Sequence, residues 1–276
     1  MKKQYSLKHL LSAIKLAKSV FYYPISALRR PVAYEKELAR IESIYHEHKG
    51  RYGYRRIHLT LKHEGITLNH KTVQRLMEKL NLKSTVRPKK YRSYRGNIGN
   101  SAPNYLKRNF TAGKPNEKWV TDVTEFNVGG KKVYLSPIID LYNQEAVAYK
   151  IAKAPRLQLV TDMIERGLSR LTGTEKPLLH SDQGWQYRNH YYQKQRADNG
   201  IKQSMSRKGN CLDNAVAENF FGLLKSEMYH GNDFKNADEL IEKISEYIEY
   251  YNTKRIKAKL KGLTPVEYRN QALQAI

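Results

Sequence analysis

The sequence predicts an α/β protein in which an all-helical N-terminal region precedes a mixed, five-stranded sheet with flanking helices. Three observations carry this. Up to residue 82 the apolar residues recur at helical spacing. Beyond Trp119 the texture changes to short, β-branched apolar runs. Those runs come first as a meander and then alternate with helical segments, an order that calls for antiparallel and parallel pairing in one sheet.

Residues 1–34 form a helical segment, with Leu10, Leu11, Ile14, Ala17 and Phe21 along one stripe. Lys8, His9, Lys15 and Lys18 interrupt any apolar stretch after Met1-Lys2-Lys3, so it does not read as a signal peptide. Residues 35–82 form a compact three-helix unit. Leu38, Ile41, Ile44 and Tyr45 mark its first helix, and Tyr52-Gly53-Tyr54-Arg55-Arg56-Ile57 opens the second, which ends at Gly65. Thr67 or Asn69 can cap a third, whose Val73, Leu76, Met77 and Leu80 fall at i, i+3, i+4 and i+7. His70, Lys71, Gln74 and Arg75 stay off that stripe, as on the recognition helix of a helix-turn-helix; a small bundle with a solvated basic face is the alternative. Residues 83–116 read as a basic linker, since from Lys79 through Asn116 there are ten Lys or Arg and no Asp or Glu.

Residues 117–230 hold the sheet. Trp119 to Val128 and Lys132 to Leu141 read as two strands joined at Gly129-Gly130, a turn that needs positive φ at both positions. Glu145 to Ile151, Pro177 to His180 and Ile201 to Ser204 supply three more. Helices are expected from about Leu157 to Leu171, Tyr187 to Asn199 and Asn214 to Met228. Residues 231–276 read as a C-terminal helical extension, with a helix from about Asp238 to Tyr251.

Charge narrows the partners. Fifty Lys and Arg against 26 Asp and Glu leave +24 over 276 residues. Residues 1–118 hold 27 basic and 7 acidic side chains, whereas 119–276 hold 23 and 19, so the excess is N-terminal. Such density attracts nucleic acid with a steep salt dependence, although a merely solubilising charge has the same composition. The single cysteine, Cys211, allows no internal disulfide and fits a reducing cytosol. No apolar run approaches the ~18 residues of a membrane span. The basic cluster Lys254, Arg255, Lys257, Lys259 and Lys261 reads either as a DNA or subunit grip or as a solvated face.

The sequence contains no Walker A loop, no G-x-G-x-x-G and no zinc-spaced Cys/His cluster. Carboxylates remain. Asp122 lies in the first strand, Asp182 just past a short strand in His180-Ser181-Asp182-Gln183-Gly184, and Glu218 on the first turns of a helix, where side chains converge on one sheet edge. Metal-assisted phosphodiester chemistry needs a few hard oxygen ligands for two ions about 3.5–4 Å apart. Lys225, two helical turns after Glu218, and Asn214, one turn before it, share its face and are expected to meet DNA. Taken singly, each acid is matched by others such as Glu125, Asp140, Asp162, Asp198 and Asp213; only the joint pattern is specific.

That pattern is Asp122, then Asp182, then thirty-five intervening residues to Glu218, with Lys225 seven further on. It resembles the D,D(35)E signature of retroviral-integrase-like transposases. Trp119-Val120-Thr121-Asp122-Val123-Thr124, Lys208-Gly209-Asn210-Cys211-Leu212-Asp213-Asn214-Ala215, Tyr251-Asn252 with Arg255, and Leu263-Thr264-Pro265-Val266-Glu267-Tyr268-Arg269 are similar to the OrfB proteins of the insertion-sequence-three family. Tyr52 to Ile57 resembles the helix-turn-helix segment preceding the core there. The resemblance implies an RNase H-like integrase core and two Mg²⁺ (or Mn²⁺) ions held by Asp122, Asp182 and Glu218. The implied reaction is DNA cleavage by water, then joining by the 3′-hydroxyl released. Arg55, Arg56, Lys71 and Arg75 are the expected DNA contacts of the helical unit. A homo-oligomer on DNA in a bacterial cytosol is implied, as is an upstream-frame product supplying a further helix-turn-helix and a leucine zipper. Two rivals are a non-catalytic DNA-binding regulator, which has no need of all three carboxylates, and an RNase H-type nuclease that cuts without joining.

Overall fold

The computed structural model describes residues 6–28, 34–85, 102–207 and 211–274. The first predicted helix is two, α1 (Leu7–Ala13) and α2 (Lys18–Leu28), parted near Lys15, whose φ is +51°. The three-helix unit forms as α3 (Glu35–Glu47), α4 (Tyr54–His63) and α5 (His70–Lys79). Ile41, Ile44, Tyr52, Ile57, Leu61 and Val73 are fully enclosed in its core. Of the two candidate caps for α5 it is Asn69 that serves, its side chain accepting from the Lys71 amide at 2.9 Å.

Strands β1 (Lys118–Thr121) and β2 (Thr124–Val128) are the predicted first strand with Asp122 and Val123 left out of the ladder. Both pair antiparallel with β3 (Lys131–Asp140), Thr121 opposite Ile138 and Thr124 opposite Leu135, which is one unbroken register. The interruption is therefore local, and six strand segments make a sheet five strands wide. Gly129 and Gly130 turn the hairpin with φ of +54° and +76°. β4 (Ala146–Ala152) pairs antiparallel on the far side of β3. On the other side β5 (Leu178–Ser181) runs parallel to β1, and β6 (Lys202–Met205) parallel to β5.

One face of the sheet is covered by α6 (Gln158–Leu168), α7 (Trp185–Arg188) and α8 (His190–Asp198), around Trp119, Ile138, Met163 and Tyr187. Gly167 lets α6 approach closely: a Cβ there would lie 2.6 Å from Ile138 Cδ1. The other face is covered by α9 (Ala215–Leu224) and α10 (Ala237–Thr253), around Val120, Leu135, Phe220, Leu240 and Ile244. These two layers fulfil the α/β expectation.

Four features differ from the sequence reading. The 231–276 segment is no appendage, because Leu240, Ile244, Tyr247, Ile248 and Tyr251 complete the same core as the strands. Its last helix, α11 (Pro265–Gln274), went unpredicted although Thr264 and Glu267 form a capping box with Pro265 at the first position. Residues 102–116, read as linker, are bonded to the core: Ser204 Oγ in β6 accepts from the amides of Tyr105 (2.9 Å) and Leu106 (3.1 Å), Leu106 is buried, and the Asn116 amide donates to Asp140 Oδ2 at 2.8 Å. Finally, the helix expected through Met228 leaves α geometry at Lys225 and closes with one π-helical turn, Lys225–Tyr229.

Candidate active site

Strand register positions the first two carboxylates. β1 and β5 pair with Lys118 beside Leu178, Trp119 beside Leu179 and Val120 beside His180. Carrying that offset on by two residues sets Asp122 level with Asp182, each just past the end of its strand. Strand alternation puts them on the face of Val120 and Leu178, which packs against α9. α9 turns Ala217, Phe220, Phe221 and Leu224 into that face and leaves Glu218, on its first turn, half-buried.

Backbone amides orient the two aspartates. Val123 N donates to Asp122 Oδ1 at 2.8 Å, and Gly184 N to Asp182 Oδ1 at 2.9 Å. Any side chain at Gly184 would crowd Asp182, since a Cβ would lie 3.0 Å from that oxygen. Beneath them the buried Tyr187 hydroxyl stands 3.4 Å from Thr121 Oγ1. Burial, then the charges of Asp122 and Asp182, push that phenol well above its ordinary pKa.

The electrostatics are those of crowded negative charge. Burial, then the charges of Asp182 and Glu218, push the Asp122 carboxyl well above the carboxylate range; the Val123 amide and Lys225 oppose the shift. Burial also raises Asp182, against the Gly184 amide and Arg188, and it raises Glu218. Lys225 Nζ lies 5.2 Å from the centroid of the Phe126 ring. A divalent cation suits such a donor set, because it offers hard carboxylate oxygens whose mutual repulsion the neighbouring amides and cations offset only in part. Among the described residues no three His, Cys, Asp or Glu side chains are gathered closely enough to enclose an ion.

Two residues expected to face DNA point elsewhere. Asn214 is 2% exposed and donates from Nδ2 to the Thr121 carbonyl at 3.1 Å, so it ties the start of α9 to the strand of Asp122. Arg56 turns inward, its Nη1 donating to the Arg51 carbonyl at 3.1 Å and lying 3.9 Å from the Glu227 carboxylate. Arg56 lies on the inward side of α4, where it meets Glu227, and Asn214 sits in the 3₁₀ turn that precedes α9, where its side chain reaches the Thr121 carbonyl; neither partner belongs to the residue's own helix. Arg55, Lys71 and Arg75 are exposed on α4 and α5. In the C-terminal basic cluster Arg255 and Lys257 are buried, Lys257 Nζ donating to Gln144 Oε1 at 3.0 Å.

Sequence reasoning passed over several residues around the site. Asp213 is fully buried and accepts from Arg207, Arg108 and Asn104, which tie residues 104–108 and 207 to the start of α9. Those bonds, Arg207 first, hold its carboxyl far below the carboxylate range. Trp185, Arg188, Tyr191 and Lys194, spaced by three beyond Asp182, are all exposed, an aromatic and cationic alternation visible in the sequence. His180 is enclosed between Ser204 Oγ at 2.8 Å and Ser206 Oγ at 3.1 Å, and burial lowers its pKa from 6.5 to about 4. The folded protein thus holds the ring neutral while the unfolded chain protonates near pH 6.5, so its stabilisation is full above that pH and is lost as pH falls from 6.5 towards 4. His180→Gln is expected to flatten the melting-temperature profile across that window; an unchanged slope would dismiss His180 as the titrating group.

Comparison with known proteins agrees with this architecture. Residues 112–211 and 218–273 match family models described as integrase core domain, and residues 33–90 one described as an HTH-like domain. InsF of Escherichia coli K12, a transposase for insertion sequence IS3A, is 29% identical over 277 residues, 98% of this chain and 96% of InsF. InsK of the same organism, named as a transposase for IS150, is 56% identical over 267 residues, 97% of this chain and 94% of InsK. The chain belongs to the insertion-sequence-three family of transposases. The transposase is also 35% identical over 231 residues to that of IS904 from Lactococcus lactis, covering 83% of this chain and 91% of the relative. Among solved structures, the HTLV-2 integrase catalytic core domain in complex with magnesium matches with a TM-score of 0.43 and 19% identity, over 57% of this chain and 98% of that one. No described helix is long and apolar enough to cross a membrane.

Proposed function

We propose that the transposase cuts and joins DNA at the ends of its own insertion sequence, with Asp122, Asp182 and Glu218 as the catalytic carboxylates and Mg²⁺ or Mn²⁺, two ions, as cofactor. The observation that carries this reading is the β1–β5 offset, which makes Asp122 and Asp182 neighbours on the face covered by the Glu218 helix. Water attacks the phosphodiester at the element end and releases a 3′-hydroxyl. That hydroxyl attacks a phosphodiester of the target, displacing a target 3′-oxygen and forming the new bond. Asp122, Asp182 and Glu218 would hold the metal ions, which when bound would supply positive charge to the phosphoryl oxygens. The protein's own part is positioning: amides of Val123 and Gly184 orient the aspartates, and Asn214 holds the start of α9 against Thr121. Lys225 adds a cation beside Asp122, where the scissile phosphate would lie.

In this reading α5 enters the DNA groove with Lys71 and Arg75, Arg55 contacts phosphate, and two element ends are joined by more than one copy of the chain. The test is a labelled duplex ending in the element's inverted repeat, incubated with and without Mg²⁺. Repeat-specific, metal-dependent nicking is expected; metal-independent or sequence-blind cutting overturns the reading. Arg55→Ala is expected to reduce the slope of log affinity against log salt by about one, and Lys71→Ala and Arg75→Ala to weaken binding to the inverted repeat more than to unrelated DNA. Asn214→Ala, altering a buried residue, leaves that slope unchanged.

A further inference from the structure

The helical unit does not hang from the core on a free linker. Its Tyr52 hydroxyl donates to the Lys254 carbonyl at 2.9 Å and accepts from the Ile256 amide at 3.0 Å, and Ile256 packs into the core of the three helices. The His48 ring stacks on Tyr52 at 3.7 Å and its Nδ1 lies 3.3 Å from the Tyr250 hydroxyl. α4 leans on Gly262, where a Cβ would lie 3.0 Å from His63. The centre of the joint is Glu227, in the π turn that continues α9. Its buried carboxylate accepts from Arg255 Nη2 at 2.6 Å and from the Tyr247 hydroxyl at 3.0 Å, with Arg56 of α4 at 3.9 Å. Its carbonyl accepts from Arg51 Nε at 3.2 Å, and the Arg51 guanidinium lies over the Tyr250 ring at 4.6 Å.

Glu227 is nine residues after Glu218 and two after Lys225, on one continuous run of helical turns. Such a run has little slack, at about 1.5 Å of rise per residue. Glu227 continues the inward stripe of Phe220, Phe221 and Leu224 into the π turn, so the helix that carries a proposed catalytic carboxylate runs on into the residue that grips the proposed DNA-reading unit.

We propose that Glu227 is a positioning residue: through it the helical unit holds α9 at a fixed offset, so that the bases read by α5 and the phosphodiester reached by Asp122, Asp182 and Glu218 stand a set number of nucleotides apart. This rests on the reading of both parts given above. A purely structural Glu227 would affect stability and amount of product but not where the cut falls, and cut position is the discriminating readout.

The test maps nicks at nucleotide resolution on the inverted-repeat duplex with Mg²⁺, using full-length wild type, Glu227→Gln and the double variant Arg51→Ala/Tyr52→Phe. The double variant loosens the joint while leaving the Glu227–Arg255 pair in place, so it carries the test if Glu227→Gln fails to fold. Wild type is expected to cut at one phosphodiester, and the folded variants to bind the duplex with unchanged affinity but to cut at positions displaced or spread by one or more nucleotides. A single cut at the wild-type position in the variants overturns the proposal. So does loss of all nicking with binding and melting intact, which would make Glu227 necessary for the chemistry and not for its register. Absence of metal-dependent nicking in wild type would bring down the transposase site itself, a separate failure visible in the first lane.

Discussion

Asp122→Asn is expected to abolish metal-dependent nicking and, in metal-free buffer, to raise the melting temperature. Both effects have one cause. The Asp122 carboxyl is held well above its ordinary pKa by burial and by Asp182 and Glu218, so its charged form is a burden on the folded protein without a cation. Asparagine keeps the volume and the acceptor for the Val123 amide but removes the charge. In the proposed mechanism the same charge would hold the metal, and its loss would remove a ligand from a reaction that depends on several kcal/mol of metal-derived stabilisation, an expected rate loss of roughly 10³-fold. Mg²⁺ is expected to raise the melting temperature of wild type, since it binds only the folded state, and to leave the variant unmoved. Asp182→Asn and Glu218→Gln are expected to share the loss of nicking, and all three to retain DNA binding. Wild-type nicking by any one of them excludes that residue from the site.

Glu227→Ala is expected to be the most damaging single substitution to stability, at about 3–5 kcal/mol, the range for removing one partner of a buried ion pair. Arg255 is 2% exposed and spends its guanidinium on Glu227, so the substitution strands a buried cation. Burial pushes the Glu227 carboxyl up, but Arg255, Arg56 and Tyr247 outweigh it and hold it below its ordinary 4.5. Its stabilisation is therefore present above that pH and is lost as pH falls below it. Chemical denaturation of Glu227→Ala and of Glu227→Ala/Arg255→Met measures the effect: the double variant should recover much of the loss, and equal destabilisation in both would show that packing, not the stranded charge, was responsible.

The elements legible in the sequence were those whose signals are local. The stripe of Val73, Leu76 and Met77 gave α5, Asn69 its cap and Gly129-Gly130 the hairpin turn. Asp122, Asp182 and Glu218 were legible only as a spaced set recognised by resemblance, because each alone is one acid among many. For Arg56 and Asn214 the sequence offers no partner within the same helix, whereas the fold brings Glu227 to one and the Thr121 carbonyl to the other. The capping box of α11 was visible and overlooked.

Sequence alone determined the helical unit, the α/β core, the excess of positive charge and the spacing of Asp122, Asp182 and Glu218, since these follow from periodicity, composition and motif. Tertiary structure decided the rest. Only strand pairing sets Asp122 beside Asp182, because register is a relation between segments sixty residues apart that neither segment encodes by itself. Only packing reveals that α10 belongs to the catalytic core and that Glu227, Arg255 and Arg56 meet between the two parts. A buried charge is stable only with its partner, and that partner is chosen by the fold and not by its neighbours in the chain.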